Sequence, residues 1–402
     1  MTRFACYSDV QALWGRRDLG AHLFPYVSGT YQSDPPDVHG GTVEYPTLSG
    51  LWTWVTGLAA HSEATFLVVT ALSFLPVVVL TTLALQRMAG RRAWWFAASP
   101  PLALYAVYNW DLLPVLLTAV GILVVLRAPA SWSLGTRLTI AGAAFGTGAA
   151  FKLYPALFAV VLTLAVLLGD FDTRIADRVR HAALTAGSAL GVVLAANLPF
   201  ALVNFEGWSS VFRFQAARAI DASTLSIWYY GLLPWSADTG ERTQHLLNSA
   251  ATGATALGIV TVLAVMVWSA RHRGTVDWVG ACGAALAVYM LCNKVDSLQY
   301  ALWLLPFFTV LRVRTGWILA YLAADVAAFV GWYRSIYYDF VGQVQPVWAD
   351  QALAVGVWGR AVLLACLVVV FLRSAVVRDD GGALSPAVDR GWTRRTVPTP
   401  AS

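Results

Sequence analysis

Charge is what this sequence has least of. Asp, Glu, Lys and Arg make up only 12% of its 402 residues, against 58% apolar residues and a mean hydropathy of +0.62. A soluble domain carries about a quarter charged residues, so a water-soluble enzyme and a disordered chain are both excluded. Cysteine is scarce too. Of four, Cys282, Cys292 and Cys366 lie inside apolar runs and Cys6 stands alone, which excludes a disulfide-stapled secreted scaffold. The six histidines are scattered, with no pair at metal-ligand spacing. There is no G-x-x-x-x-G-K phosphate loop, no H-E-x-x-H helix and no nucleophile elbow. Lysine is almost missing: among 27 basic residues, only positions 152 and 294 are Lys.

What is present is a series of long apolar runs separated by short arginine-rich breaks, the pattern of a multi-span membrane protein. The runs cover about 64–86, 93–108, 112–126, 138–151, 153–169, 182–205, 248–270, 276–292, 300–311, 317–332 and 351–372. We therefore expect an all-α bundle of about eleven transmembrane helices, several of them shorter than the roughly 20 residues of a perpendicular span. Eighteen Trp and fifteen Tyr suit interfacial belts. The basic breaks at 87–92, 127–137, 174–180, 271–273, 312–314 and 373–378 alternate along the count and so share one face, which the positive-inside rule makes cytoplasmic. This placement accounts for the net charge of +5 and the pI near 9.1. No basic patch interleaved with aromatics calls for a nucleic-acid partner.

On this topology residues 1–63 form a first extracytoplasmic region, polar and turn-rich. Residues 64–373 form the membrane domain, with outer loops at 206–247 and 333–350, and 374–402 form a disordered cytoplasmic tail. Residues 172–181 read as a short surface helix. An outer N-terminal region with neither a signal sequence nor a span leads us to expect a twelfth helix, N-terminal to this sequence. The cytoplasmic loops are too short to build an ATP or nucleotide-sugar site. No internal repeat of fixed period is visible, which counts against an inverted-repeat transporter.

Chemistry-bearing residues concentrate on the outer face. Asp9, in Cys6-Tyr7-Ser8-Asp9-Val10, serves as a general base if it faces a partly dry cavity, or else is an ordinary loop or capping residue. Glu44, in Val43-Glu44-Tyr45-Pro46, is a second outer carboxylate that a turn explains equally well. Both lysines interrupt apolar sequence, where a charge is costly unless it meets a polar cavity or a partner. As point charges, Lys152 and Lys294 can hold a lipid phosphate, or simply snorkel to the interface. Asp111, after Asn109-Trp110, either orients a sugar hydroxyl or caps the next helix. In the long outer loop, Arg213 and Arg218 offer bidentate phosphate contacts, and Trp228-Tyr229-Tyr230 offer aromatic faces to a sugar ring. An interfacial amphipathic helix has the same composition.

Four stretches carry a resemblance. They are Tyr7-Ser8-Asp9-Val10 with Phe24-Pro25-Tyr26, Glu44-Tyr45-Pro46, Lys152-Leu153-Tyr154-Pro155, and Lys294-Val295-Asp296-Ser297-Leu298-Gln299-Tyr300 followed by Trp303-Leu304-Leu305-Pro306. By their order, and by the span pattern over about residues 1–372, the chain resembles the GT-C membrane glycosyltransferases. It most closely resembles glycosyltransferase family 87, the polyprenyl-phosphate-mannose-dependent mannosyltransferases of actinobacterial envelopes. The resemblance implies a GT-C-like bundle in the plasma membrane with its site on the extracytoplasmic side. It also implies a polyprenyl-phosphate sugar, mannose foremost, as donor and an envelope glycolipid or glycan as acceptor. Asp9 takes the position of the catalytic base, with Glu44 as the second candidate. Lys152, Lys294 and Arg218 then face the donor phosphate, and Asp111, Trp228, Tyr229 and Gln299 face the sugar or the acceptor. The reaction is a single inverting displacement that requires no metal or other cofactor. The competing expectation is a transporter or flippase of a lipid-linked glycan precursor, which would favour repeats and broken helices at the midplane.

Overall fold

The computed structural model describes residues 7–232 and 240–377, so Cys6 and most of the expected tail lie outside the described residues. The chain opens with α1 (Asp9–Arg16), passes through an antiparallel hairpin of β1 (Thr30–Ser33) and β2 (Pro36–His39), and reaches α2 (Thr47–Gly57). The apolar helices begin with α3 (Glu63–Ala89). Its start is a capping box: Ser62 Oγ accepts from the Thr65 amide and Thr65 Oγ1 accepts from the Ser62 amide, satisfying two groups that no helix bond can reach.

After α3 come two short helices, α4 (Trp94–Ala97) and α5 (Pro100–Tyr105), then α6 (Leu112–Arg127), α7 (Leu134–Phe151), α8 (Pro155–Leu167) and α9 (Ile175–Val203). The amphipathic α10 (Phe205–Ala217) precedes α11 (Glu241–Arg273), α12 (Trp278–Cys292), α13 (Ala301–Val310), α14 (Thr315–Val341) and α15 (Val347–Arg373). α11 and α14 stop at Gly274 and Gly342, whose φ values of +66° and +65° are left-handed and suit a residue without Cβ.

Among the described residues, five helical stretches are long and apolar enough to cross a membrane: Glu63–Ala97, Ile175–Val203, Glu241–Arg273, Thr315–Val341 and Val347–Arg373. Leu112–Arg127, Pro155–Leu167, Trp278–Cys292 and Leu298–Val310 are apolar but shorter. The long helices turn apolar side chains outward, as at Leu190, Leu194, Leu198 and Leu202 on α9 and Leu257 and Val260 on α11. A rim of exposed leucine around a packed bundle is the arrangement that lipid, not water, stabilises. The chain is a helical, multi-pass membrane protein. All ten residues of α13 are buried, which places this short helix at the centre.

Four expectations need correction. The run 93–108 is not one helix: Ser99-Pro100-Pro101 breaks it, because proline removes a donor and pushes the residue before it out of the α region. Residues 172–181 are not a separate surface helix, since α9 starts at Ile175 and continues without interruption. Much of the expected loop 206–247 is helical, with α10 at one end and the start of α11 at the other; residues 233–239 lie outside the described residues. The expected loop 333–350 shrinks to the link 342–346, because the Tyr- and Arg-bearing stretch after residue 332 prolongs α14. Polar and aromatic residues at a helix end near an interface read as loop in the sequence.

The arginine breaks do meet at one end of the bundle. Arg92 donates to the carbonyls of Thr309, Phe308 and Leu311 at 3.0, 2.8 and 2.9 Å, and Arg127 to that of Met88 at 3.4 Å. The Arg312 amide bonds to Ala375, Leu311 pairs with Val376, and the Val276 amide reaches Asp170. The opposite end gathers Asp9, whose amide bonds to the Tyr108 carbonyl, with Ser49 on the Phe151 carbonyl and Tyr333 on that of Tyr7.

α14 and α15 pack closely through glycine. A Cβ on Gly356 would stand 2.2 Å from the Ala328 amide nitrogen, and one on Gly331 2.4 Å from that of Leu353, whereas one on Gly187 of α9 would meet nothing within 4 Å among the described residues. G356A is therefore expected to destabilise the protein by about 1–3 kcal/mol. G187A is expected to leave it unchanged, as read by thermal unfolding in detergent micelles.

Candidate functional site

The end of the bundle opposite the arginine breaks holds most of the polar residues singled out in the sequence. Asp9 is the first residue of α1, where a carboxylate suits the positive end of the helix dipole. It is docked on the turn that follows α5: Ser8 Oγ donates to the Val107 carbonyl at 2.5 Å and the Asp9 amide to Tyr108 at 2.9 Å. That turn carries Asn109, whose Nδ2 donates to Asp9 Oδ2 at 2.8 Å and to the Tyr45 hydroxyl at 2.7 Å. The Tyr45 hydroxyl in turn donates to Asp9 Oδ2 at 2.9 Å. Tyr7 adds a hydrogen bond to the same carboxylate; burial, and then the Asp9 charge, push the Tyr7 hydroxyl above its usual range, so it stays a donor. A carboxylate has about four acceptor sites. Three donors therefore orient Asp9 and leave it about one site for a substrate hydroxyl.

Glu44 is engaged elsewhere. Its Oε2 accepts from Arg17 Nε at 2.5 Å, Arg17 also pairs with Asp37, and the group is mostly buried. A carboxylate neutralised in this way fixes α1 against the hairpin and the α2 entrance, and is a poor base.

Asp111 neither caps α6 nor stands free. It is fully buried, paired with Lys152 Nζ at 2.9 Å, and its Oδ1 accepts from Trp303 Nε1 at 2.7 Å. Lys152 is therefore no isolated point charge. It ends α7 in an extended conformation and lies 5.1 Å from the Tyr45 ring centre and 5.7 Å from those of Tyr300 and Trp303. Trp303 is stacked between Tyr154 and Tyr300, at 4.2 and 3.7 Å. Tyr45 thus touches both Asp9 and the cation, and the charge of Asp9 is felt at Asp111.

Lys294 follows α12 and donates to the carbonyls of Arg218 at 2.8 Å and Ala216 at 3.2 Å, the C-terminal carbonyls of α10. Burial, and then the neighbouring Arg218 charge, push this lysine down to about 8. Arg218 donates to Ser223 at 3.3 Å and lies within electrostatic reach of Tyr108 and Tyr300, which ties it to the same end. Gln299 is buried, and its Oε1 has no partner among the described residues. Trp228 is a structural anchor: its Nε1 donates to the Cys292 carbonyl at 2.8 Å and its ring packs on Ile220 and Ala251. Tyr229 packs edge-on against Tyr230, and Arg213 covers the ring of Tyr31.

Sequence reasoning passed over Asn109, Tyr7 and two charges inside the bundle, Asp325 on α14 and Arg360 on α15, both fully buried. The last two had a visible signal, since a lone ionisable residue in an apolar span always needs a partner. Among the described residues, no three His, Cys, Asp or Glu converge to hold a metal ion. A cavity of about 590 Å³ lined by Ser133, Thr136, Arg180 and His181 opens at the opposite end, away from Asp9.

K152M leaves Asp111 buried without its counter-charge and is expected to cost about 3–5 kcal/mol, whereas K152M/D111N recovers most of that loss. Thermal unfolding of the two variants in micelles checks this.

No family model matches the chain, and no curated protein matches it either.

Proposed function

We propose that this chain is an integral-membrane glycosyltransferase, which moves a sugar from a lipid-phosphate donor to an acceptor hydroxyl at the bundle end that carries Asp9. The observation that carries this reading is the Asp9 carboxylate, held by Asn109, Tyr45 and Tyr7, with anchored cations at the same end. Asp9 takes the proton of the acceptor hydroxyl as its oxygen attacks the anomeric carbon from the face opposite the phosphate. The bond from that carbon to the phosphate oxygen breaks, and the electron pair leaves with the lipid phosphate. Lys294, with two of its three N–H bonds spent on carbonyls, keeps a third for the departing charge, and Lys152 and Arg218 add to the field. Cations that are already in place stabilise the transition state without reorganising.

The sequence resemblance supplies the finer terms: mannose as the sugar, polyprenyl phosphate as the carrier, an envelope glycolipid or glycan as acceptor, and the extracytoplasmic face of the plasma membrane as the place. The arginine breaks at the other end agree with that orientation, because basic loops are held in the cytoplasm. A flippase of a lipid-linked glycan is the second reading. It is favoured by one feature, the proline-broken crossing of α4 and α5.

Membranes bearing the protein and a radiolabelled polyprenyl-phosphate-mannose donor decide between them. D9N is expected to lower kcat by about 10²–10⁴-fold and to leave the donor KM within about twofold. Lipid movement without any transfer would favour the flippase. Lys294 loses its proton as pH rises through about 8, so donor KM is expected to climb above that pH. K294R, whose guanidinium does not deprotonate, is expected to flatten the profile.

A further inference from the structure

Two charged residues inside the bundle have no part in the reaction above. Arg360 lies midway along α15 and Asp325 along α14, and neither is exposed at all. Arg360 Nη2 donates to Asp296 Oδ2 at 2.7 Å and to the Asp296 carbonyl at 2.8 Å, with the Ser297 carbonyl at 3.4 Å. Its Nε stands 3.9 Å from Asp325, whose other oxygen accepts from the Tyr105 hydroxyl at 2.9 Å. An arginine kept at full burial needs partners: here Nη2 finds them on the short segment between α12 and α13, while Nε and Nη1 have no hydrogen-bond partner among the described residues.

That segment is where Lys294 and Gln299 sit. The Asp296 amide bonds to the Thr224 carbonyl, Trp228 holds the Cys292 carbonyl, and Lys294 reaches back to the end of α10. Those ties all run to the 216–228 region. Arg360 supplies a charged tie from this segment to the helical bundle, beside the packing of residues 298–300 on α13 and α14, and it sits in the α14–α15 pair, where Gly331 and Gly356 allow backbone-close packing. We infer that Arg360 is a positioning residue: its guanidinium pins the turn at 296–297 to the α14–α15 pair and so sets where the Lys294 ammonium stands. What Lys294 then binds rests on the proposed function; the pin itself does not.

The chain offers a direct readout, because it contains only two lysines. Competitive acetylation with trace acetic anhydride across a pH series, quantified by peptide mass spectrometry, gives each lysine its own titration profile in the full-length protein. In the wild type Lys294 is expected to titrate near 8. Two variants loosen the pin. R360M/D296N/D325N removes the charges together, so that no ion is left buried alone, and R360K keeps the charge but not the fork. In both, the Lys294 midpoint is expected to move toward the ordinary 10.5. Its reactivity at the wild-type midpoint then falls about tenfold or more, while the Lys152 profile stays in place. A Lys294 profile unchanged in both variants overturns the inference, as does a shift shared by both lysines, which would mean general loosening.

In the transfer assay, R360K is expected to raise donor KM about tenfold with kcat within about twofold. If wild-type membranes transfer no sugar from any lipid-phosphate donor, the proposed function fails and the lysine profiles still decide the role of Arg360.

Discussion

Asp111 is removed from water completely, and the end of the bundle that carries Asp9 is organised around that fact. Desolvating a carboxylate costs several kcal/mol even after relaxation, and only a close counter-charge with well-made hydrogen bonds offsets it. Lys152 and Trp303 supply these from two different parts of the chain, the α7–α8 junction and α13. Meeting that demand draws the α5–α6 turn inward. The same turn carries Asn109, which orients Asp9. The candidate base is thus placed by a charge pair that takes no direct part in the proton transfer proposed for it.

A second buried charge, Arg360, plays the corresponding role on the other flank. Both centres solve the same problem, an ion in a medium that cannot solvate it, and both do so by tying a short connection to a packed helix. The interior helices α12 and α13 make this possible. They are buried almost all round, so their ends can be polar without opening the bundle to lipid. The long helices α9 and α11 do the opposite work and spend their apolar surface on the membrane.

The long apolar helices and the common end of the arginine breaks were legible in the sequence, because hydropathy and charge alternate on a scale longer than any local ambiguity. Breaks inside a run were not. Ser99-Pro100-Pro101 lies in a stretch as apolar as its neighbours, and only the geometry of proline shows that the helix stops there. At the site, Asp9, Lys152 and Lys294 stood out as rare charges in unusual places. Their pairing did not, since Asp111 and Lys152 are far apart in sequence and their meeting depends on how α6 and α7 pack. Glu44 and Trp228 looked available for chemistry because a sequence shows side chains without their partners, Arg17 and the Cys292 carbonyl. Arg360 and Asp325 were readable in principle, as single charges within apolar helices.

The proline break between α4 and α5 also bears on how the protein is made. A helix interrupted between its two ends leaves backbone groups that hydrocarbon cannot satisfy. In the finished structure one side of this segment packs on α13, and α5 also on α14, while Trp94, Ala98, Pro100 and Ala103 stay exposed on the other. Those helices are synthesised much later. While they are still being made, residues 94–105 lack these partners, and lipid alone leaves the backbone groups at the break unpaired. The Asp9 end then closes late, when the C-terminal helices arrive and Asp111 first meets Trp303.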